Sequence, residues 1–88
     1  MWRQPVEQRL LARVARGDQR AFAALYDRVA PAVFRVAFFH SGGEPAAVSA
    51  AESVLCQLWR DAPTLSARAE PVLPYLREQV RILAQSAG

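Results

Sequence analysis

Residues 10–28 read LLARVARGDQRAFAALYDR, in which the pair Gly17-Asp18 divides two runs of apolar residues at helical spacing. Glycine after such a run is typical of a helix end, and aspartate before one can cap the next helix by accepting hydrogen bonds from its first backbone N–H groups. The stretch therefore predicts one helix over about residues 5–16 and a second over about residues 19–39.

Helical spacing continues to the end of the chain, and no segment alternates with period two. The predicted fold class is all-α, a compact bundle of four helices in a single domain covering residues 1–88. The third helix should span 44–60 and the fourth about 72–85. The residues predicted to face inward are Val48, Ala51, Leu55, Leu58 and Trp59 in the third helix and Leu73, Leu76, Val80 and Leu83 in the fourth.

Prolines interrupt this helical pattern at two places. Pro31 removes one backbone hydrogen bond inside the second helix, so we expect a kink near Val29–Ala30 or a break into two helices. Residues 61–71, DAPTLSARAEP, contain prolines near both ends and no apolar periodicity, which predicts an irregular loop. Long loops in small domains often carry function, so this segment is a candidate site.

The few reactive side chains argue against an enzyme or a metal protein. One cysteine, Cys56, cannot form an internal disulfide, and with one histidine, His40, a zinc site would lack its usual ligands. We predict no metal and no cofactor, a buried apolar setting for Cys56, and a position at a helix end for His40. No nucleophile, base and orienting group are expected to converge, so we predict no enzymatic activity.

The sequence also bears on location and charge. The polar start, Met1–Pro5, lacks a secretory signal pattern, and the most apolar segment, residues 29–39, is shorter than the roughly 20 residues of a membrane span. We expect a cytoplasmic protein that does not bind membranes. All eleven basic residues are arginine; residues 1–40 hold seven against three acids, and residues 41–88 hold four against five, so the positive charge lies in the first half.

Three segments together resemble the second conserved region of bacterial RNA polymerase sigma factors of the extracytoplasmic-function group. The most specific is 10–28 with its continuation 33–37, which has the Gly-Asp helix break, a Phe four residues on and a Leu-Tyr-Asp turn. Residues 54–60, VLCQLWR, resemble the end of the helix that docks on the polymerase clamp. Residues 74–76, PYL, with Arg81, resemble the promoter-reading helix.

This resemblance implies a transcription initiation factor domain that binds the RNA polymerase core, at the clamp of its largest subunit, and holds melted promoter DNA. An anti-sigma factor is a further implied partner. The implied polymerase-binding residues are Ser49, Glu52, Ser53, Gln57 and Arg60. The implied DNA-binding residues are Thr64, Ser66, Arg68, Tyr75, Arg77 and Arg81, because arginines can neutralise phosphates and tyrosine can stack on an unpaired base.

Two questions stay open at this point. The helix-turn-helix region that closes members of the family is absent, so we expect either a fragment of a longer sigma factor or a naturally short relative. The alternative function is a sigma-like interaction module that has lost DNA reading and binds polymerase or an anti-sigma factor. Phe34, Phe38 and Phe39 motivate that alternative, because a small bundle can leave such side chains exposed, and exposed apolar patches mark interfaces.

Overall fold

The computed structural model describes residues 4–86, which fold into four α-helices with no strand among them. The helices are α1 (Val6–Val14), α2 (Gln19–His40), α3 (Glu44–Ala67) and α4 (Val72–Ser86). The prediction of an all-α bundle of four helices is therefore confirmed for this part of the chain. None of its helices is both long enough and apolar enough to cross a membrane.

The turn between α1 and α2 is built by local chemistry. Gly17 has a φ of +87°, and its N–H donates to the carbonyl of Val14 at 2.8 Å, while the N–H of Asp18 donates to the carbonyl of Arg13 at 3.1 Å. These two bonds form a Schellman motif, which closes a helix with a glycine in the left-handed region. The Asp18 carboxylate then accepts from the N–H of Ala21 at 3.0 Å and caps α2, as predicted.

The Asp18 cap makes stability depend on pH. The hydrogen bond from the Ala21 N–H, with a further contribution from Arg13, lowers the pKa of this carboxyl. A lowered pKa adds stability above the unfolded-state value of about 3.9, and that stability is lost as the pH falls through the lower folded-state pKa. Asp18→Asn keeps a capping oxygen but cannot ionise. We expect the wild type to lose its advantage over Asp18→Asn below about pH 4 in urea titrations; an advantage that persists in stronger acid would contradict the role of the charge.

The loop predicted for residues 61–71 is wrong for most of its length, because α3 continues through Pro63. Proline lacks an N–H and leaves one carbonyl of the preceding turn without its helical partner. On either side of it, Ala62 and Leu65 are buried in the core, at 0% and 2% exposure, and this tertiary packing keeps the segment helical. Only residues 68–71 connect α3 to α4.

Pro31 is accommodated in the same way. The proline lies exposed on the outer side of α2, and the neighbouring Val29 and Val33 are fully buried. The helix runs unbroken from Gln19 to His40, so of the two predicted alternatives, a kink or a break, the break into two helices does not occur. Packing on both sides of the proline outweighs the single lost bond.

The short connection between α3 and α4 repeats the motif that ends α1, with a different residue at its centre. The N–H of Ala69 donates to the carbonyl of Ser66 at 3.1 Å, and the N–H of Glu70 donates to that of Leu65 at 3.0 Å. Ala69, with a φ of +52°, occupies the position that Gly17 occupies in the first motif. An alanine in this conformation is strained, because its Cβ crowds the following carbonyl oxygen.

Ala69→Gly is expected to raise the free energy of unfolding by about 0.5–1 kcal/mol, because relief of the left-handed strain exceeds the entropy that glycine gains in the unfolded chain. The matched control is Gly17→Ala at the equivalent position, where a Cβ would meet nothing within 4 Å, so only backbone strain changes. This control should lose about 1 kcal/mol in urea unfolding. A loss of stability in Ala69→Gly would contradict the assignment.

A side chain of α1 fastens this connection to the rest of the bundle. Gln8 is half-buried; its Nε2 donates to the carbonyl of Glu70 at 3.0 Å, and its Oε1 accepts from the N–H of Val72 at 2.8 Å. The N–H of Val72 is one of the first-turn donors of α4 that have no partner inside the helix. Gln8 therefore fixes where α4 begins.

The core contains only apolar side chains among the described residues, and seven of its nineteen members are alanine. Three inward-facing predictions are wrong: Trp59 and Leu83 are each 36% exposed, and Val48 is half-buried on the outward side of α3. Trp59 lies at the edge of the core, where its ring contacts that of Phe22 edge-on at a centroid distance of 5.3 Å. At the end of α4 the buried residue is Ala84 instead of Leu83.

Candidate functional site

One open groove, about 800 Å³ in volume, runs along the outward side of α3. The residues that line it are Glu44, Pro45, Val48, Ser49, Glu52, Ser53, Cys56, Gln57 and Arg60. They recur every three or four positions, so they share one face of the helix, and the opposite face is buried in the core. We call this surface the α3 groove.

The α3 groove brings together all five residues predicted to bind polymerase, each of them exposed. Its serine and cysteine side chains are small, and Glu52 and Arg60 carry opposite charges. All of its lining residues belong to α3. Its shape and chemistry suit an elongated segment of a protein partner.

Cys56 lies in this groove and is exposed, so the prediction that it is buried is wrong. The reason is the register of α3, in which Leu55 and Leu58 point into the core. The residue one position after Leu55 is rotated by about 100° and faces solvent.

Of the three predicted DNA-binding residues that were placed in a loop, two lie on a helix instead. Thr64 is exposed and Ser66 half-buried on the last turns of α3, and both carbonyls accept backbone hydrogen bonds that end the helix. Arg68 lies in the connection, exposed, with its guanidinium 3.0 Å from the carboxylate of Glu70. The extension of α3 thus places two of these residues on a helix, where their side chains are held in fixed directions.

Tyr75 lies on the side of α4 that faces α3. Its side chain is half-buried and packs against the core. Burial, and next the negative charge of Asp61, raise the pKa of the Tyr75 phenol above its ordinary value. The ring is anchored with only part of its surface free, so it offers an edge to a ligand and not a fully exposed stacking platform.

Arg77 and Arg81 lie on the other flank of α4, in a second groove of about 330 Å³ between α2 and α4. Its lining residues are Val36, His40, Pro74, Arg77, Glu78 and Arg81. We call this surface the α2–α4 groove. The structure therefore separates the predicted DNA-binding set into an arginine pair here and Tyr75 with Arg68 across the helix.

Arg81 is already held in place within the α2–α4 groove. Its guanidinium donates to both carboxylate oxygens of Glu78, with one bond at 2.8 Å, and to Oε1 of Gln85 at 2.9 Å. The bond from Arg81 lowers the pKa of Glu78. Gln85 also lies 3.3 Å from Nδ1 of His40, which links the end of α2 to this network. The guanidinium is pre-positioned, but a phosphate must compete with Glu78 for it.

Sequence reasoning missed His40 as part of this groove. It correctly predicted a position at the end of α2, where His40 is the last residue. What it could not supply was the packing of the α2 end beside Arg77 and Arg81, which depends on tertiary contacts. The imidazole adds a third nitrogen group facing the groove, against the single carboxylate of Glu78.

Residues 4–86 hold no group of three histidine, cysteine, aspartate or glutamate side chains placed to bind a metal ion. The chemistry present at both grooves is hydrogen bonding and charge pairing. The chain matches no protein-family model, no curated protein and no solved structure.

Proposed function

We propose that this chain is a sigma-factor-like transcription initiation domain that works in the cytoplasm, holding the RNA polymerase core through the α3 groove and melted promoter DNA through α4. The observation that carries the proposal is the separation of two surfaces that share no lining residue. The α3 groove has mixed charge and small side chains, which suits a protein partner. The α2–α4 groove has two arginines and a histidine, which suits phosphates.

The local construction of the first two helices also supports the proposal. Gly17, Asp18 and Phe22 carry the most specific part of the resemblance, and each has a defined structural task here: a left-handed turn, a helix cap and a contact with Trp59. Trp59 belongs to the second resembling segment. The resembling segments therefore pack on each other as parts of one domain.

Opening a promoter requires no covalent step from this domain. It requires cations along the displaced strand and a surface that keeps an unpaired base from stacking back. Arg77 and Arg81 supply the cations in the α2–α4 groove, and the exposed part of Tyr75 supplies the aromatic edge on the other flank. A strand that passes over the start of α4 can reach both.

The DNA half of the proposal is tested with single-stranded DNA of mixed sequence, by fluorescence anisotropy at several salt concentrations. Replacing Arg77 and Arg81 with glutamine should weaken binding and reduce the salt dependence by about 1.4 in the slope of log K against log salt, since each single-strand phosphate contributes about 0.7. Arg35→Gln with Arg60→Gln removes the same charge elsewhere and is the control. Equal effects of the two pairs would contradict the assignment.

The polymerase half is tested by capture of core polymerase. Ser53→Trp fills the α3 groove without changing charge, and we expect it to abolish capture. Gln19→Trp places the same bulk on an exposed, uncharged position of α2 outside the groove and should leave capture intact. Capture by Ser53→Trp at the wild-type level would contradict docking through this face.

One observation favours the alternative, an interaction module without DNA reading. Phe38 is 47% exposed and Phe39 is 83% exposed at the end of α2. Large apolar side chains this exposed are typical of contact surfaces for another protein. Under this alternative, Phe39→Ser lowers partner binding, and the arginine pair of the α2–α4 groove has no effect on affinity for DNA.

A further inference from the structure

Arginines form the outward side of α1 and of the turn that follows it. Arg9 and Arg13 lie in α1, Arg16 lies in the turn, and all three are exposed. Helical geometry places Arg13 within about 40° of Arg9 around the axis. The buried residues Leu11 and Val14 lie on the opposite side. We call this surface the α1 arginine face.

Ion pairing leaves most of this charge free. Arg13 lies 2.9 Å from the carboxylate of Asp18, and its side chain is still 58% exposed. Arg9 donates to the backbone carbonyl of Gln4, and within residues 4–86 neither Arg9 nor Arg16 pairs with a carboxylate. The one acid of α1, Glu7, lies toward α2, where it pairs with Arg28 at 3.2 Å.

Helix stabilisation does not account for the whole pattern. A cation at the C-terminal end of a helix interacts favourably with the carbonyl end of the dipole, which explains Arg13 in the last turn of α1 and extends to Arg16 just beyond it. Arg9 lies in the first half of α1, where a cation gains nothing from the dipole. Three cations on one face also repel one another. An external polyanion would remove that cost.

We propose that the α1 arginine face binds the phosphate backbone of duplex DNA beside the melted strand, an inference that rests on the proposed function. Protein interfaces depend on aromatic or aliphatic anchors, and the outward positions of α1 between Arg9 and Arg16 hold none. Guanidinium groups bind phosphate with two parallel hydrogen bonds. Arg13 lies about 6 Å beyond Arg9 along the axis of α1, and the flexible side chains of the three arginines can reach neighbouring phosphates.

The position of α1 supports this choice of partner. Gln8, next to Arg9, binds the backbone of Glu70 and Val72 in the connection that carries Arg68. This contact places α1 beside the start of α4, the helix that carries the proposed single-strand contacts. Backbone contacts of this kind carry no sequence information and position a protein on DNA.

The test is fluorescence anisotropy with a mixed-sequence DNA duplex across a range of salt concentrations. The triple variant Arg9→Gln, Arg13→Gln, Arg16→Gln should reduce the slope of log K against log salt by about 2.7, since each duplex phosphate contributes about 0.9. The matched control replaces Arg20, Arg28 and Arg35 of α2 with glutamine; it removes the same charge and also breaks one ion pair. We expect the control to retain most of the slope.

Equal losses in the two triple variants would overturn the inference, because net charge alone would then explain binding. Competition by poly-glutamate as strong as that by duplex DNA would also overturn it in favour of an acidic protein. The proposed function fails separately, since the arginine pair of the α2–α4 groove is read out on single strands. Loss of duplex binding in the α1 triple variant with unchanged single-strand binding supports the α1 face on its own.

Discussion

Leu55→Ala is expected to lower the free energy of unfolding by about 2–5 kcal/mol, whereas Cys56→Ala, one residue later, should stay within about 0.5 kcal/mol of the wild type. Leu55 is fully buried, so truncation loses transfer free energy and leaves a cavity. Cys56 faces the α3 groove and supports no packing in the core. An 88-residue domain has only about 4–13 kcal/mol of stability in total, so the first change removes a large share.

This pair of variants tests the register of α3 and with it the proposed polymerase face. Urea unfolding monitored by circular dichroism gives both values, and an unchanged m-value would show that the compactness of the states is the same. If Cys56→Ala cost as much as Leu55→Ala, the helix would be rotated and the α3 groove would not exist. Leu55→Met, which nearly conserves volume, should cost less than about 1.5 kcal/mol and keeps the comparison measurable if the alanine variant unfolds.

Gln8→Ala is expected to destabilise the protein by about 2 kcal/mol, from two hydrogen bonds worth about 1 kcal/mol each. The loss leaves the N–H of Val72 and the carbonyl of Glu70 without their partners at the start of α4. Amide exchange at Val72 should accelerate more than exchange in the middle of α2, because the connection opens before the whole bundle does. Urea titration and hydrogen exchange measure the two effects.

Two further variants sharpen the result for Gln8. Gln8→Glu still accepts from the N–H of Val72, but an ionised carboxylate cannot donate to the carbonyl of Glu70. We expect the free energy of unfolding to fall by at least the contribution of that one hydrogen bond. Gln19→Ala changes an exposed glutamine at the start of α2 and should be nearly neutral. Equal stability of Gln8→Ala and Gln19→Ala would show that the bridge contributes nothing.

The fold was predictable where local chemistry and periodicity act together. Gly17 and Asp18 mark a helix end and a helix start by their own conformational and hydrogen-bonding preferences, and the structure uses both. Pro63 misled the same reasoning, because a proline signals a helix end unless tertiary burial of its neighbours outweighs it. That burial is set by helices distant in the sequence.

The candidate sites were predictable only in part. The five residues of α3 share a face by their spacing alone, so their common groove follows from the sequence once the helix is recognised. The separation of Tyr75 from Arg77 and Arg81 depends on which neighbour each flank of α4 meets, and His40 joins the arginines only through packing of α2. The two hydrogen bonds of Gln8 join residues more than sixty positions apart, so no local sequence pattern predicts them.

The exposed thiol of Cys56 has a practical consequence. It is the only cysteine of the chain, and it lies among the lining residues of the α3 groove. A maleimide dye would therefore attach at one site without any mutation and report occupancy of that surface by a change in emission. Protection of the thiol from alkylation by a bound protein would map the footprint of that protein directly.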